Sequence, residues 1–127
     1  MQPMKAVLLV FLGGGLGSVC RYLANRWVVG MVTSVFPAGT FLVNIIGCFL
    51  IGFLVFYTGR TGQQMVPWRL LLVTGFCGGF TTFSSFSFEN LQLLGDHQLL
   101  IFLLYAFLSI AVGLGATYLG ILVAKNI

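Results

Sequence analysis

Four runs of mainly apolar residues, at about 4–32, 41–57, 68–94 and 99–124, take up most of the chain and leave only short polar joints. A helix rises 1.5 Å per residue, so crossing about 30 Å of hydrocarbon takes about 20 residues. Runs of this length predict four transmembrane helices. Composition points the same way: 6% of the 127 residues are charged and mean hydropathy is +1.08. A water-soluble domain of this size needs far more polar residues to cover its surface. The chain therefore reads as an all-α integral membrane protein, one domain over residues 1–127 with the lipid bilayer as its solvent. The joints are too short to form a second domain.

The charges are informative by position. Six cations stand against two anions, scattered singly at Lys5, Arg21, Arg26, Arg60, Arg69 and Lys125. Nucleic acid needs a clustered basic face, so no nucleic-acid partner is expected. Lys5, Arg60, Arg69 and Lys125 fall on the side that carries both termini. By the positive-inside rule this leans toward cytoplasmic termini. Lys5 and the apolar run after it resemble a signal-peptide core. Apolar character resumes after Arg26, however, so the segment reads as a retained span. Cys20, Cys48 and Cys77 lie in apolar or glycine-rich stretches without CxxC spacing, which suits packing better than metal binding.

Polar residues within the spans are the candidates for function. In the second span, introduced by Pro37-Ala38-Gly39-Thr40 and closed by Gly59-Arg60, Thr40 and Asn44 share a face that continues to Gly47. An unsatisfied amide in hydrocarbon costs several kcal/mol, so Asn44 must find a partner; an ordinary helix–helix hydrogen bond would serve. Tyr105, Ser109 and Gly113 form a similar stripe in the fourth span. There Ser109 either lines a path or bonds back to its own helix.

The third span, reached through a polar loop at Arg60–Met65 and a helix start at Pro67-Trp68, is the least ordinary. From Thr74 to Glu89 it holds three closely spaced glycines and then a run of hydroxyl residues interleaved with phenylalanine. This is poor material for an unbroken helix, and predicts a third helix broken mid-membrane. Such breaks are tolerated where they are buried in protein or line an ion site. Carbonyls near Gly78 and Thr81 would suit a hard cation, while glycine can also simply allow close helix packing. Phe83 and Phe86 lie on neighbouring parts of one helical face. An aromatic ring has an electropositive edge, and ring edges beside hydroxyl and amide donors offer the weak sites that anion conduction requires. Glu89 is a functional candidate as an intramembrane carboxylate or a snorkelling residue near a helix end, and Arg21 has the same two readings. No histidine or lysine stands near the hydroxyl run to activate a nucleophile, and there is no carboxylate pair, HExxH or phosphate-cradling loop. The chain does not read as an enzyme.

These residues resemble the Fluc fluoride channels, also called the CrcB family. The resemblance spans Gly13-Gly14-Gly15-Leu16-Gly17-Ser18 with Arg21, Gly39-Thr40-Phe41-Leu42-Val43-Asn44, the run from Gly75 to Glu89, and the Tyr105/Ser109 stripe. It implies passive, fluoride-selective export that relieves fluoride toxicity in a bacterial inner membrane. It also implies an antiparallel, dual-topology homodimer with two pathways along its interface. Gly78 and Thr81 carbonyls from both subunits would hold a central structural sodium ion. Phe83 and Phe86 would face the pathways, with Asn44 donating to fluoride. Ser84, Thr40, Tyr105, Ser109 and Glu89 would form a polar track, and Arg21 would lie toward a vestibule. Gly113 departs from relatives that carry serine there.

Two rival readings are a four-span proton-coupled multidrug exporter and a scaffolding membrane subunit. The exporter depends on a carboxylate in the first span, which has none. The scaffold leaves the hydroxyl-and-phenylalanine run unexplained.

Overall fold

The computed structural model describes residues 2–60 and 62–127. Helix α1 spans Pro3–Met31, with proline in the first turn, where its missing N–H has no helical partner to lose. Helix α2 runs from Ala38 to Arg60, beyond both ends of the expected second span. Its start is set by the Pro37 carbonyl, which accepts from the Phe41 N–H at 3.0 Å. Its last turn stays wound because the Arg60 guanidinium lies over the Phe56 ring and donates to the Ala124 carbonyl of the last helix at 3.2 Å.

The third span is built in pieces. Of the loop read at Arg60–Met65, Thr61 lies outside the described residues, and Gly62–Met65 form a 3₁₀ turn. Then come α3 (Val66–Trp68), a π-helical segment (Arg69–Cys77) and the short α4 (Gly78–Phe80). Thr81 and Thr82 are extended, with φ/ψ of −85/157° and −149/115°, before α5 resumes at Phe83–Gly95. The turn into α6 (Leu99–Lys125) is a Schellman motif: Gln98 N–H bonds the Leu93 carbonyl and His97 N–H bonds the Leu94 carbonyl. The left-handed residue of this turn is His97, with φ 57°, rather than the neighbouring Gly95.

Close packing rests on glycine. A Cβ on Gly13 would lie 2.0 Å from the Leu71 carbonyl oxygen, and one on Gly17 would lie 2.2 Å from that of Phe76. The α1 backbone therefore sits directly on the first half of the third span. On the other flank, a Cβ on Gly52 would meet the Thr117 carbonyl at 2.1 Å, and one on Gly120 that of Phe49 at 2.2 Å. This joins α2 to α6. Small residues at helix contacts are how membrane helices gain dispersion energy, since lipid removes the hydrophobic drive between them. Large apolar side chains such as Phe11, Leu16, Phe107 and Leu114 point outward.

Among the described residues, four helical spans are long and apolar enough to cross a membrane: Pro3–Met31, Ala38–Arg60, Val66–Gly95 and Leu99–Lys125. The protein is a multi-pass membrane protein.

Candidate functional site

The interruption at Thr81-Thr82 organises the polar residues. Asn44, one turn into α2 from Thr40, turns its amide onto Thr82. Asn44 Oδ1 accepts from the Thr82 N–H at 2.8 Å, and Asn44 Nδ2 donates to the Thr82 carbonyl at 3.1 Å. The side-chain amide thus replaces the helical ladder where the ladder stops. One Nδ2 hydrogen is left over for another acceptor.

Thr82 also caps α5: its Oγ1 accepts from the Ser85 N–H at 3.2 Å. The same oxygen donates to Ser85 Oγ and lies 3.1 Å from Ser84 Oγ. In a continuous helix the Thr82 and Ser85 N–H groups would bond the carbonyls of Gly78 and Thr81. Both donors are redirected, so these two carbonyls lose their ladder partners. Gly78 is exposed, with nothing within 4 Å of the position a Cβ would occupy. Gly47 makes room beside the break, since a Cβ there would lie 2.1 Å from Thr81 Cγ2.

A second polar knot lies further along α5. Glu89 accepts from Thr40 Oγ1 at 2.6 Å and from the Tyr105 hydroxyl at 2.7 Å, so α2, α5 and α6 meet on one carboxylate. Its partners are hydroxyls rather than an arginine. Tyr105 is fully buried, with its ring 5.3 Å from Phe36 and 5.0 Å from Phe86.

Three cavities border these knots. A groove of about 340 Å³ is lined by Asn44, Gly47, Thr81, Phe83, Phe86 and Ser109. Phe83 is 79% exposed beside it, with its ring 5.8 Å from that of Phe86. Ser109 Oγ is buried and has no hydrogen-bond partner among the described residues, so the serine does not bond back to its own helix. A second cavity, about 380 Å³, reaches from Arg21 and Arg26 to Thr40, Thr82 and Ser85. The third, about 280 Å³, lies under the α1–α2 loop and reaches Glu89.

The residues singled out in the sequence therefore sort into groups. Asn44, Phe83, Phe86 and Ser109 share the groove. Arg21 lines the second cavity, Thr40 both the second and third, and Glu89 the third. Ser84 is exposed and tied to Thr82, while Tyr105 lines none of the three. Gly113 is a packing position, where a Cβ would meet Cys48 Sγ at 3.5 Å. Sequence reasoning passed over Thr82, the hub of the break. Its signal was a threonine three residues before Ser85 at the start of a helical run, a recognisable N-cap.

Residues 8–121 match the family described as CrcB-like protein, Camphor Resistance (CrcB). A protein of Flavobacterium psychrophilum named fluoride-specific ion channel FluC is 46% identical over 98% of this chain and all of its own length. Proteins of the same name from Gloeothece citriformis and Phocaeicola vulgatus are 47% and 50% identical, covering 97% and 93% of this chain and 99% and 97% of their own. These relatives are named as channels, not enzymes. With its family match running through all four spans, the chain belongs to the CrcB family.

Proposed function

We propose that the protein is a fluoride-selective channel that exports fluoride passively from the bacterial cytoplasm through the inner membrane. The observation that carries this reading is the groove in which Asn44, Phe83, Phe86 and Ser109 converge on an open face. Fluoride is small and strongly hydrated, so a path for it must replace water without holding the ion. The spare Asn44 hydrogen, the unpartnered Ser109 hydroxyl and phenylalanine edges are donors of graded, modest strength. A cation placed among them would trap the ion. The names of the relatives support fluoride as the cargo.

A second copy, antiparallel to the first, closes the groove into a pathway, and two-fold symmetry makes two pathways. The exposure of Phe83 supports a partner on this face. In this arrangement the break at Thr81-Thr82 falls at mid-membrane. The Gly78 and Thr81 carbonyls fit a hard cation because redirected N–H groups free them. Two oxygens are too few for one ion, and the second copy supplies two more. When bound there, sodium contributes fixed positive charge near the path and pins the two copies together. Thr40, Ser84, Glu89 and Tyr105 form the polar track that continues the path, and Arg21 borders the cavity at its mouth.

Purified protein reconstituted in liposomes is expected to release fluoride rapidly and chloride little. Phe83→Ile and Asn44→Ala are expected to slow fluoride release while the protein remains dimeric. Wild-type flux in both variants sinks the assigned pathway, and no fluoride release from folded wild-type protein sinks the channel.

A further inference from the structure

Between the arginine-lined cavity and the Glu89 cavity stands one polar side chain that bonds to neither. Asn25, on α1 one turn beyond Arg21, borders both. Its amide fills the notch left by Gly39, where a Cβ would lie 1.8 Å from Asn25 Oδ1. Thr40, the next residue, is shared by the same two cavities and donates to Glu89. The two chambers differ in charge. Among the described residues Arg21 and Arg26 have no carboxylate partner; Arg26 is bonded only to the Tyr22 hydroxyl, at 3.3 Å. The other chamber ends on the carboxylate of Glu89. Asn25 is half-buried and, among the described residues, has no hydrogen-bond partner in the protein. An amide carries two N–H donors, and neither is taken by a described residue.

We propose that Asn25 is an anion-recognition residue of the channel, donating from its amide to a small hydrated anion in the arginine-lined cavity and walling that anion off from Glu89. This rests on the channel reading above. The arginines raise the local anion concentration through long-range, salt-screened attraction. Asn25 adds a directional contact that those flexible cations do not supply. Because its own charge is zero, it does so without trapping the ion.

The test is the concentration dependence of fluoride efflux from liposomes carrying wild type, Asn25→Leu or Asn25→Asp. Leucine keeps the wall and removes the donors, and aspartate keeps the shape and adds a negative charge. The expected result is a rise in the half-saturating fluoride concentration. Loss of one hydrogen bond to a charged group corresponds to about ten- to hundredfold for the leucine variant. The aspartate variant shifts further in the same direction, through like-charge repulsion. Maximal flux and thermal unfolding stay near wild type in both. A wild-type half-saturating concentration in both variants overturns the proposal. So does a fall in maximal flux alone, which is what a purely structural role produces. If wild-type protein itself releases no fluoride, the channel reading fails and Asn25's part falls with it; normal wild-type release with unshifted variants removes Asn25 alone.

Discussion

The two halves of the third span are built by opposite means. Its first half, through the π-helical segment and α4, lies backbone to backbone on α1, with Gly13, Gly17, Gly75 and Gly79 at the contact. Its second half, α5, is held by few and specific polar bonds: Asn44 to Thr82, and Thr40 and Tyr105 to Glu89. Phe83, Phe88 and Leu91 stay exposed on it. The comparison teaches that close packing makes a rigid floor, whereas hydrogen bonds can hold a helix and leave one of its faces free for an ion path or a second subunit.

The largest expected effect strikes the floor. Gly17→Leu places atoms where the Phe76 carbonyl and Phe80 N–H already are, with a Cβ 2.2 and 2.8 Å away. Neither helix backbone can give, so folded protein should be lost, seen as disappearance of the monodisperse peak in detergent. A smaller but still large effect is expected at the joint between the halves. Asn44→Ala strips partners from both backbone polar groups of Thr82, at about 1–3 kcal/mol for each buried group left unsatisfied. The unfolding midpoint should fall and fluoride efflux with it.

Tyr105→Phe sharpens the comparison within α5. It removes one bond to a carboxylate, about 1.5–3 kcal/mol, while the ring contacts to Phe36 and Phe86 remain. A lower unfolding temperature with an unchanged oligomeric state is the expected outcome. The smallest effect on stability belongs to Phe83→Ile. At 79% exposure the ring contributes little to the fold of one chain, so stability should stay within about 0.5 kcal/mol. Efflux should nonetheless fall. If Phe83→Ile destabilises as much as Asn44→Ala, the division between floor and functional face is wrong.

Much of this was legible in the residues. Length and hydropathy settle the four spans because the thickness of a bilayer is fixed. The special character of Thr74–Glu89 shows as glycine and hydroxyl density against apolar neighbours. Asn44 stands out because an amide in lipid must be bonded. Its partner did not show: a backbone N–H and C=O freed by a helix break, 38 residues away, leaves no mark in local composition. At α2 the helix runs on past the apolar run to Arg60, which a carbonyl on α6 keeps wound.

The sequence by itself determined that this is a four-span helical membrane protein with its polar chemistry concentrated in the third span. Hydrophobic length and the cost of lone polar groups in lipid act locally, so they can be read along the chain. Only the tertiary structure decided that Asn44 pairs with Thr82, that Glu89 is shared by Thr40 and Tyr105, and that Asn25 borders both the arginine-lined cavity and the one that reaches Glu89. Those relations depend on how four helices rotate against one another. That rotation is set by which glycines meet which backbones, across distances that no local pattern records.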